Sequence, residues 1–592
     1  MNMETKLKPE EINLGRKYTF LRKKYNELLL PTLFMVMSEK LCVIIDILII
    51  GIILGSTQAS IINLASPLTY ITGIFYILFG QGGNLLALRA QSQLNHKKAN
   101  FYFTISILGI LVVSIVYILI VFLFIDNILM MLNVPAEIFN LGKEYLLIFM
   151  FYYPLNCFML VISFFIRSDG FPKMPFYAVL IANIINIILD ILFLKVFNWG
   201  IASTALASVL GYLVGTIYIS KYLFENERSY RLISLAKFKI KEIILSLKDI
   251  ILNTPEVIGK IFFASKMTML TYLCSTYYGV AGLLAFLVYD NSESFVYMFL
   301  SGIMKTMSPL VTVLYKEMDY AAVHYIIVRS FKQVLFIALP VSVLFFVYPE
   351  ILLSIFNIVD PYHSKVVTLA IRITAFSLVG RCMSYLFANY AQAIEKNKIS
   401  SIITFLEECL FAVAGALILT KIIGGRGIWI SILLAECIPV LIYLIYTFKL
   451  KRNNKDKLKS ILMLQNSKLI SWTYAREEIG KTDKYLDKKS KEILLCIENI
   501  FKNNAATISK AMNDLCNNLF ENNENLQEID ITIRLIDEEL YIVLTTDGKL
   551  YNPFLNESLM KSDNILELSK LNCKFEYDEL LGFNKEYIIL KK

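Results

Sequence analysis

The sequence has few charged residues and few of the residues that typically fill loops. Of its 592 residues 18% are charged, and it contains 14 prolines and 25 glycines. This composition excludes a low-complexity chain and a fibrous protein. Hydrophobic residues make up 56% of the chain and fall in blocks of roughly 20, each long enough to cross about 30 Å of hydrocarbon. The sequence therefore predicts a polytopic membrane protein.

Histidine is also rare, and no two cysteines have the spacing of a CxxC motif. The three histidines, His96, His324 and His363, fall in predicted loops or at span ends, which argues against a histidine proton relay. The nine cysteines include no CxxC pair, so we expect neither a disulfide framework nor a zinc site, as is typical of soluble parts that face a reducing cytoplasm. No cleavable signal peptide is predicted, because the first apolar residues, near Leu28, continue directly into a full-length span.

The apolar blocks predict an all-α fold of twelve membrane-spanning helices. Loops on one side carry Lys and Arg, whereas alternate loops such as GSTQAS and NVPAE carry neither. Because basic loops stay inside, both termini are expected in the cytoplasm of a bacterial plasma membrane. The same rule accounts for the basic excess of the membrane part, so nucleic acid is not expected as a partner. The predicted spans are 28–53, 60–88, 100–125, 142–166, 174–196, 201–224, 255–279, 284–314, 326–348, 364–390, 399–422 and 427–448.

The chain repeats itself and then changes in composition. LLLPTLF at the start of span one matches LNTPEVI at the start of span seven, at an offset of about 225 residues. Two parallel six-helix lobes with a substrate cavity between them are therefore expected. Beyond Leu450 the sequence predicts a small α/β domain, in which EIDITIRLIDEELYIVL has the period-2 pattern of a hairpin. The predicted parts are a cytoplasmic segment (1–27), an N-lobe (28–224), a cytoplasmic linker (225–254), a C-lobe (255–448), a second linker (449–470) and the cytoplasmic C-terminal domain (471–592).

Three predicted spans of the first half carry polar groups, and on two of these spans the groups are separated by whole helical turns. They are Glu39 and Asp46 on span one, Asn183, Asn186 and Asp190 on span five, and Ser208 on span six. Because an unpaired charge in hydrocarbon costs at least about 2–3 kcal/mol, such groups usually face a partner or water. Carboxylate, amide and hydroxyl oxygens suit Na⁺, and a desolvated carboxylate can take up H⁺. We therefore predict a site for Na⁺ or H⁺ and for no other metal; the alternative is that the asparagines only bridge helices.

The predicted spans of the second half carry charges of both signs. They are Lys260 and Lys266 on span seven, Lys305 on span eight, Arg381 on span ten, Glu407 and Glu408 on span eleven, and Glu436 on span twelve. One interpretation is structural salt bridges, such as Lys260 with Glu407 or Glu408. The other is a polar substrate site whose basic groups admit anionic or zwitterionic molecules. The candidate residues of that cavity are Lys260, Lys305, Arg381, Glu407 and Glu408.

Three stretches of the first half carry a family resemblance: LPTLFMVMSEKLCVIIDILIIGIILG, GQGGNLLALRAQSQLNHKKA and NIILDILFLKVFNWGIASTALAS. They resemble the first span, the glycine-rich end of the second span and the N-x-x-x-D run of the multidrug and toxic compound extrusion (MATE) transporters. The resemblance covers roughly residues 14–448 and is weaker in the second half. It implies an antiporter, not an enzyme, that exports amphipathic, often cationic compounds in exchange for Na⁺ or H⁺. It places Asp46, Asn186, Asp190 and Ser208 in the family's N-lobe cation site.

The C-terminal domain carries a second resemblance. VLTTDGKLYNP is similar to a strand end of the GHKL-type ATP-binding domains, especially anti-sigma-factor serine kinases. The resemblance implies that Asp547 would bind the adenine amine and that Gly548 would permit close approach. Two stretches compete for the Mg²⁺-binding helix, one with Glu498 and Asn503 and the other with Asp514 and Asn518. Because the glycine-rich phosphate lid is missing, we expect a degenerate regulatory domain in preference to one that binds ATP and Mg²⁺.

Three functions remain as alternatives. The first is a MATE-type exporter of small molecules with a regulatory tail, for which a cytoplasmic regulatory protein is a candidate partner. The second is a flippase of lipids or lipid-linked sugars of the same superfamily, which the basic residues of the second half keep open. The third is a membrane sensor that signals through an ATP-binding tail, which the missing lid counts against. Apart from the coupling ion no cofactor is expected, and the lipid bilayer surrounds the spans.

Overall fold

The computed structural model describes residues 16–54, 66–131, 136–226, 228–234, 239–356, 358, 360–453, 462–464, 470–481, 504–536 and 539–591. These residues form two compact units. The tail unit combines Met1–Glu27, Leu314–His324 and Leu450–Lys592, and the membrane unit combines Leu28–Val313 and Tyr325–Lys449. The tail unit therefore includes a short internal segment, Leu314–His324, in addition to the two ends of the chain.

The first half of the chain is helical from α1 to α8, and helix α9 follows in the predicted linker. Apolar side chains such as Leu123 of α4, which is 67% exposed, remain on the outside, as expected for a helix that faces hydrocarbon. The helices are α1 (Thr19–Leu54), α2 (Ser66–Tyr76), α3 (Gly83–Gln91), α4 (His96–Met131), α5 (Ala136–Phe149), α6 (Tyr152–Ser168), α7 (Lys173–Ile191), α8 (Ala202–Ser220) and α9 (Ile240–Leu252).

The second half repeats this helical pattern from α10 to α18. Its helices are α10 (Glu256–Tyr278), α11 (Val280–Lys316), α12 (Tyr320–Val347), α13 (Glu350–Ile355), α14 (Pro361–Thr374), α15 (Ser377–Ala393), α16 (Asn397–Phe405), α17 (Gly415–Ile423) and α18 (Arg426–Asn453). Helices α14 and α15 meet at a bend of 43°.

The candidate spans among the described residues can be compared with the twelve that the sequence predicts. Within the described ranges ten helices are long and apolar enough to cross a membrane, and the bent pair α14–α15 makes eleven. These overlap the last eleven of the twelve predicted spans, while the predicted span 28–53 lies within α1, which is not among them. A mostly helical polytopic architecture is thus confirmed, and the number twelve stays a prediction.

Three stretches of the membrane unit are wound as π-helix. They are Ile77–Gly82, Leu192–Val196 and Leu406–Ala414. Single π turns inside α-helices are frequent at functional sites. Here the first contains Gln81, the second follows Asp190 within two residues, and the third contains Glu407 and Glu408. Each therefore lies in or beside one of the polar groups of the membrane unit.

The tail unit contains a five-stranded antiparallel sheet in the order β1-β2-β3-β5-β4. Strands β2 and β3 pair from Asp530 opposite Thr545 to Ile536 opposite Glu539, which confirms the predicted hairpin. One face of the sheet packs against α19 in a hydrophobic core. A GHKL-type fold stays a prediction. The elements are β1 (Ile470–Ala475), α19 (Ala505–Asn522), β2 (Glu528–Ile536), β3 (Glu539–Thr546), α20 (Glu557–Met560), α21 (Asp563–Ser569), β4 (Cys573–Leu580) and β5 (Phe583–Leu590).

Glu586 of β5 is a charged residue inside this core. It is fully buried and lies on the same strand face as the core residues Ile588 and Leu590. Burial raises the pKa of its carboxyl group well above 4.5, although a hydrogen bond from its own backbone amide opposes the shift. Above about pH 4.5 the unfolded chain has lost the proton of this carboxyl group, whereas the folded state still keeps it. The stability of the tail unit should therefore decrease as the pH rises from 4.5 towards the pKa of the folded state.

We expect Glu586→Gln to stabilise the tail unit at about pH 8 and to change little near pH 4.5, because glutamine has no proton to lose. The wild type should lose up to about 1.4 kcal/mol of local stability per pH unit in this window. The measurement is hydrogen exchange of the β3 and β5 amides in the full-length protein, corrected for intrinsic exchange. Glu567→Gln, at an exposed position of α21, is the matched control. Equal pH slopes in the wild type and Glu586→Gln would contradict this account.

Candidate ion-coupling site and substrate cavity

The buried face of α7 meets α1 and α8 at a pair of aspartates. Asp190 of α7 is 1% exposed, and its carboxyl group contacts that of Asp46 on α1. Asn186, one turn before Asp190, donates its amide to Asp190 Oδ2 at 3.3 Å and to Ser208 Oγ of α8 at 3.2 Å. The structure thus brings together Asp46, Asn186, Asp190 and Ser208, which the sequence places on three separate spans.

This aspartate pair has the chemistry of a cation site. Two carboxylates in contact repel each other unless a proton or a cation lies between them. Within the described part of the chain neither Asp46 nor Asp190 forms a salt bridge, and Asp190 Oδ1 has no hydrogen-bond donor. Amide, hydroxyl and carboxylate oxygens are suitable ligands for a hard cation. The arrangement can therefore take up H⁺ or Na⁺.

Cys42 belongs to this site although the sequence did not indicate it. Its thiol lies one turn before Asp46 on α1, 3.4 Å from Asn186 Oδ1 and 3.8 Å from each Asp46 carboxylate oxygen. Asn183 instead donates to the backbone oxygen and the hydroxyl of Ser38, both at 3.0 Å, and accepts from Tyr212 at 3.4 Å. Asn183 thus links helices, as the alternative interpretation expects. The side chain of the remaining candidate, Glu39, lies outside the described residues.

Small residues on α8 explain how Ser208 reaches this site. A Cβ atom on Gly211 would lie 2.5 Å from Ala182 O of α7, a distance that no real side chain tolerates. Gly211 follows Ser208 by three residues and so shares its helix face. The glycine lets the backbone of α8 approach α7 closely, which puts the Ser208 hydroxyl within hydrogen-bonding distance of Asn186.

The charged side chains of the second half form a buried network. Arg381 of α15 is bound to Glu407 and Glu408 of the third π segment, and its Nε lies 3.0 Å from Glu293 Oε1 of α11. Lys266 of α10 lies 2.8 Å from Glu408 Oε2 and 4.0 Å from Glu436 Oε1 of α18. The four glutamates of this network outnumber its two cations. We call these six residues the charge network.

Salt bridges to Glu407 and Glu408 are present as predicted, but their cations are Arg381 and Lys266 and not Lys260. Arg381 and Lys266 pair with the glutamates, whereas Lys260 lies 5.9 Å above the ring of Phe263 and lines the cavity. Glu293 was not predicted from the sequence. Its signal was the stretch DNSES, which interrupts an otherwise apolar span with two carboxylates.

Two adjoining cavities lie beside the charge network. The first, of about 220 Å³, is lined by five carboxylates, those of Glu256, Asp290, Glu293, Glu407 and Glu408. The second, of about 180 Å³, lies between the two halves and is lined by the basic residues Arg167, Lys260 and Lys305. Five residues are shared by both linings, namely Glu256, Lys260, Tyr297, Tyr385 and Asn389. All five predicted cavity residues line this joint space. Carboxylates outnumber the cations Lys260 and Arg381 in the first cavity, and basic residues outnumber the carboxylate of Glu256 in the second.

A polar network joins the two halves near these cavities. Arg89 of α3 donates to Asn253 Oδ1 and to Gln392 O, both at 2.7 Å. Gln81 donates to Gln392 Oε1 at 3.2 Å, and Asn397 donates to Asn253 Oδ1 at 2.7 Å. We call these five residues the interlobe network. Because Gln81 and Arg89 of the first half both contact Gln392 of the second half, a separation of the halves would require these contacts to break.

The residues assigned to a nucleotide site make contacts within the tail unit. Asp547 is paired with Lys23 at 2.8 Å, Asp514 accepts from Asn564 at 2.9 Å, and Asn518 accepts from Tyr551 at 2.7 Å. A Cβ atom on Gly548 would lie 2.7 Å from the Asn523 side chain. Glu498 and Asn503 lie outside the described residues. The nucleotide role of these residues stays a prediction.

The helices, the carboxylate pair and the cavity between two halves define a polytopic membrane protein of the transporter class. The MatE family model matches residues 31–192 and 255–418, more than half of the chain, and the chain belongs to this family. The multidrug export protein MepA of Staphylococcus saprophyticus is 23% identical over 422 residues, 69% of this chain and 89% of MepA. MepA of Staphylococcus aureus is 22% identical over 412 residues, with the same two coverages.

A solved structure has the same fold. The crystal structure of a MATE protein in the bent conformation superposes with a TM-score of 0.66 at 18% identity, over 73% of this chain and 96% of its own. The mostly helical polytopic fold predicted from the sequence is therefore that of MATE transporters. The two ranges matched by the family model begin at residues 31 and 255, one in each half.

Proposed function

We propose that this protein is a secondary transporter that exports amphipathic small molecules in exchange for H⁺ or Na⁺. The observation that carries the proposal is the contact between the half-buried Asp46 and the buried Asp190, which needs a cation or a proton to be stable. Release of that cation when the site opens to the other side of the membrane would couple its movement to that of the substrate. The names of the MepA relatives, which describe multidrug export, support the same function.

The test of this proposal is transport by the purified protein in liposomes. Dye movement is followed by fluorescence while a pH gradient and a Na⁺ gradient are imposed one at a time. We expect one of the two gradients to drive dye against its concentration. If several cationic and zwitterionic dyes all fail to respond to either gradient, the antiport proposal is wrong.

We further propose that the cavity accepts molecules with both a positive and a negative group. A cationic group would face the carboxylates around the charge network, and an anionic group would face Arg167 and Lys305 between the halves. Opposite charges at the two ends of a cavity orient a dipolar ligand and exclude one with a single misplaced charge.

Lys305→Met should therefore weaken transport of a zwitterionic rhodamine about tenfold, the effect of losing about 1.4 kcal/mol of binding free energy. The cationic methyl ester of the same dye, which has no free carboxylate, should be affected much less. The measurement is the concentration dependence of transport for both dyes. Lys332→Met, at an exposed position of α12, is the matched control. Equal losses for both dyes would show that Lys305 does not select the anionic group.

A second candidate function is a flippase for anionic lipid-linked molecules. The observation that favours it is the set of three basic residues around the cavity between the halves, Arg167, Lys260 and Lys305. It predicts faster transbilayer movement of an anionic fluorescent lipid in liposomes that contain the protein, without any ion gradient.

For both candidate functions we propose that both termini are cytoplasmic, because the loops that would lie on that side carry the basic residues. The C-terminal domain is then a regulatory part and not an enzyme.

A further inference from the structure

The sheet of the tail unit has a polar face that is covered. Strand β2 alternates between Ile529, Ile531 and Ile533, which belong to the core with α19, and Asp530, Thr532 and Arg534 on the opposite side. Such polar residues normally face water. Nevertheless Asp530 is 6% exposed and Arg534 is 5% exposed. We call this side the docking face; the residues used below are Thr473, Asp530, Arg534, Lys585 and Tyr587.

Two stretches of the same unit cover the docking face, and Arg16 joins them. They are the N-terminal segment (residues 16–27) and the α11–α12 turn (residues 317–319). Arg16 Nη1 lies 2.6 Å from Asp319 Oδ2 of the turn, and Arg16 Nε donates to the two Asp530 oxygens at 2.9 and 3.1 Å. The side chains of Arg16 and Asp319 are each 4% exposed. Because a buried arginine stays charged, loss of either carboxylate would leave that charge uncompensated.

Glu317 of the turn occupies another part of the docking face. Its carboxylate accepts from Lys585 Nζ and, at 3.5 Å, from the Tyr587 hydroxyl, while its backbone oxygen accepts from Arg534 Nη1 at 2.5 Å. The acidic turn thus contacts basic residues of the sheet, and the basic N-terminal segment contacts acidic ones. Complementary charges of this kind determine which stretch binds at which place.

The N-terminal segment continues along the same sheet. The Lys17 amide donates to the Thr473 hydroxyl at 3.1 Å, and the ring centroids of Phe20 and Phe583 are 5.0 Å apart. Lys23 then pairs with Asp547 at 2.8 Å. Asp547 is the residue that the second resemblance assigned to adenine. In this structure its partner is therefore the chain's own N-terminal segment.

We infer that the C-terminal domain is a docking domain whose ligand is this chain's own N-terminal segment and α11–α12 turn, and that it links the two halves of the transporter. The N-terminal segment includes the first turns of α1 and is therefore continuous with the rest of that helix in the first half, and the turn joins α11 and α12 of the second half. While both are docked, the ends of these helices are held at one sheet. A movement that separates them requires one of the two to leave the docking face. Docking therefore sets how readily the halves change their arrangement.

Glu317 and Lys585 offer a charge-reversal test outside the ion site and the cavity. Glu317→Lys and Lys585→Glu each place two like charges in contact, whereas the double variant restores an opposite pair. Hydrogen exchange of the full-length protein in nanodiscs is measured for two sets of peptides. One set covers the N-terminal segment with β2 and β5, and the other covers Arg89, Gln392 and Asn397 of the interlobe network. We expect exchange at least about tenfold faster in both sets for each single variant. It should return close to wild type in the double variant.

Each other outcome overturns a defined part of the inference. Unchanged exchange of the N-terminal segment in both single variants would show that docking does not depend on these charges. Faster exchange at the docking face with an unchanged interlobe network would show that the domain docks without restraining the halves. The nucleotide alternative is tested by adding MgATP to the wild type, which should leave the peptide around Asp547 unchanged. Protection of that peptide by MgATP would assign the face to a nucleotide instead. None of these readouts requires transport, so they stand apart from a failure of the antiport proposal.

Discussion

Asp190→Asn is expected to abolish gradient-driven transport while the protein stays folded. Asparagine keeps the shape of the side chain and still accepts a hydrogen bond from Asn186, but it cannot take up a proton. It also removes one of the two negative charges that a bound cation requires. Because the substitution relieves the repulsion with Asp46, the folded state should be at least as stable as the wild type. Dye transport driven by the coupling ion should fall to the level of protein-free liposomes.

Asp46→Asn should have the same effect, since the pair acts as one site. Asp126→Asn is the matched control, because Asp126 of α4 is paired with Lys143 at 2.7 Å outside the site. That variant undergoes the same chemical change and should transport normally. Binding of the dye, measured by its fluorescence, should persist in all three variants. Retention of ion-driven transport in both Asp46→Asn and Asp190→Asn would rule out this pair as the coupling site.

Arg381→Met is expected to give the largest loss of stability among single substitutions in the second half. Methionine leaves Glu407, Glu408 and Glu293 buried without the cation that they share. Removing one partner of a buried ion pair typically lowers the free energy of unfolding by about 3–5 kcal/mol. We therefore expect little monodisperse protein in detergent, and a lowered midpoint of thermal unfolding for what remains. The measurement is fluorescence-detected size exclusion after heating.

Two further variants test whether the defect of Arg381→Met comes from the loss of its positive charge. Arg372→Met, at an exposed position of α14, should behave as the wild type. Glu407→Gln added to Arg381→Met should recover part of the stability, because it removes one uncompensated charge. If the double variant is no more stable than Arg381→Met alone, repulsion among the glutamates is not the cause of the defect.

The ion site could be predicted from the sequence because two of the three contributing spans carry their polar groups at whole-turn spacing. Asn186 and Asp190 stand out against apolar neighbours, so their shared face on α7 could be predicted. Cys42 could not, because a cysteine in an apolar helix usually acts as a small hydrophobic residue. Arg89 and Arg167 are among the basic loop residues that were interpreted only as charges that set the topology. In most membrane proteins basic residues near span ends are explained by the topology. Only the packing of the two halves shows which of them also contact other residues between the halves.

The tail unit marks a second limit of prediction from sequence. The β2–β3 hairpin followed from the period-2 pattern, which also predicts one polar face. That pattern does not reveal what covers the face. Arg16 and Asp530 are separated by 514 residues, and no local periodicity records such a pairing. The contact of the α11–α12 turn with the docking face could not be predicted either, because the turn has the composition of an ordinary loop between two spans.

Glu407 and Glu408 are neighbours in the sequence, and yet both bind Arg381. Consecutive side chains of an α-helix point about 100° apart, whereas the nine-residue π segment Leu406–Ala414 closes its turns over one more residue. A π turn holds one more residue than an α turn, so deleting one residue from this segment would restore ordinary α-helical winding and shift the side chains inside the segment relative to those that flank it. Every charged side chain would still be present, but the directions of Glu407 and Glu408 relative to Arg381 would change. The charge network therefore depends on residue count as much as on residue identity, and a gap in an alignment at this turn would alter it more than many substitutions.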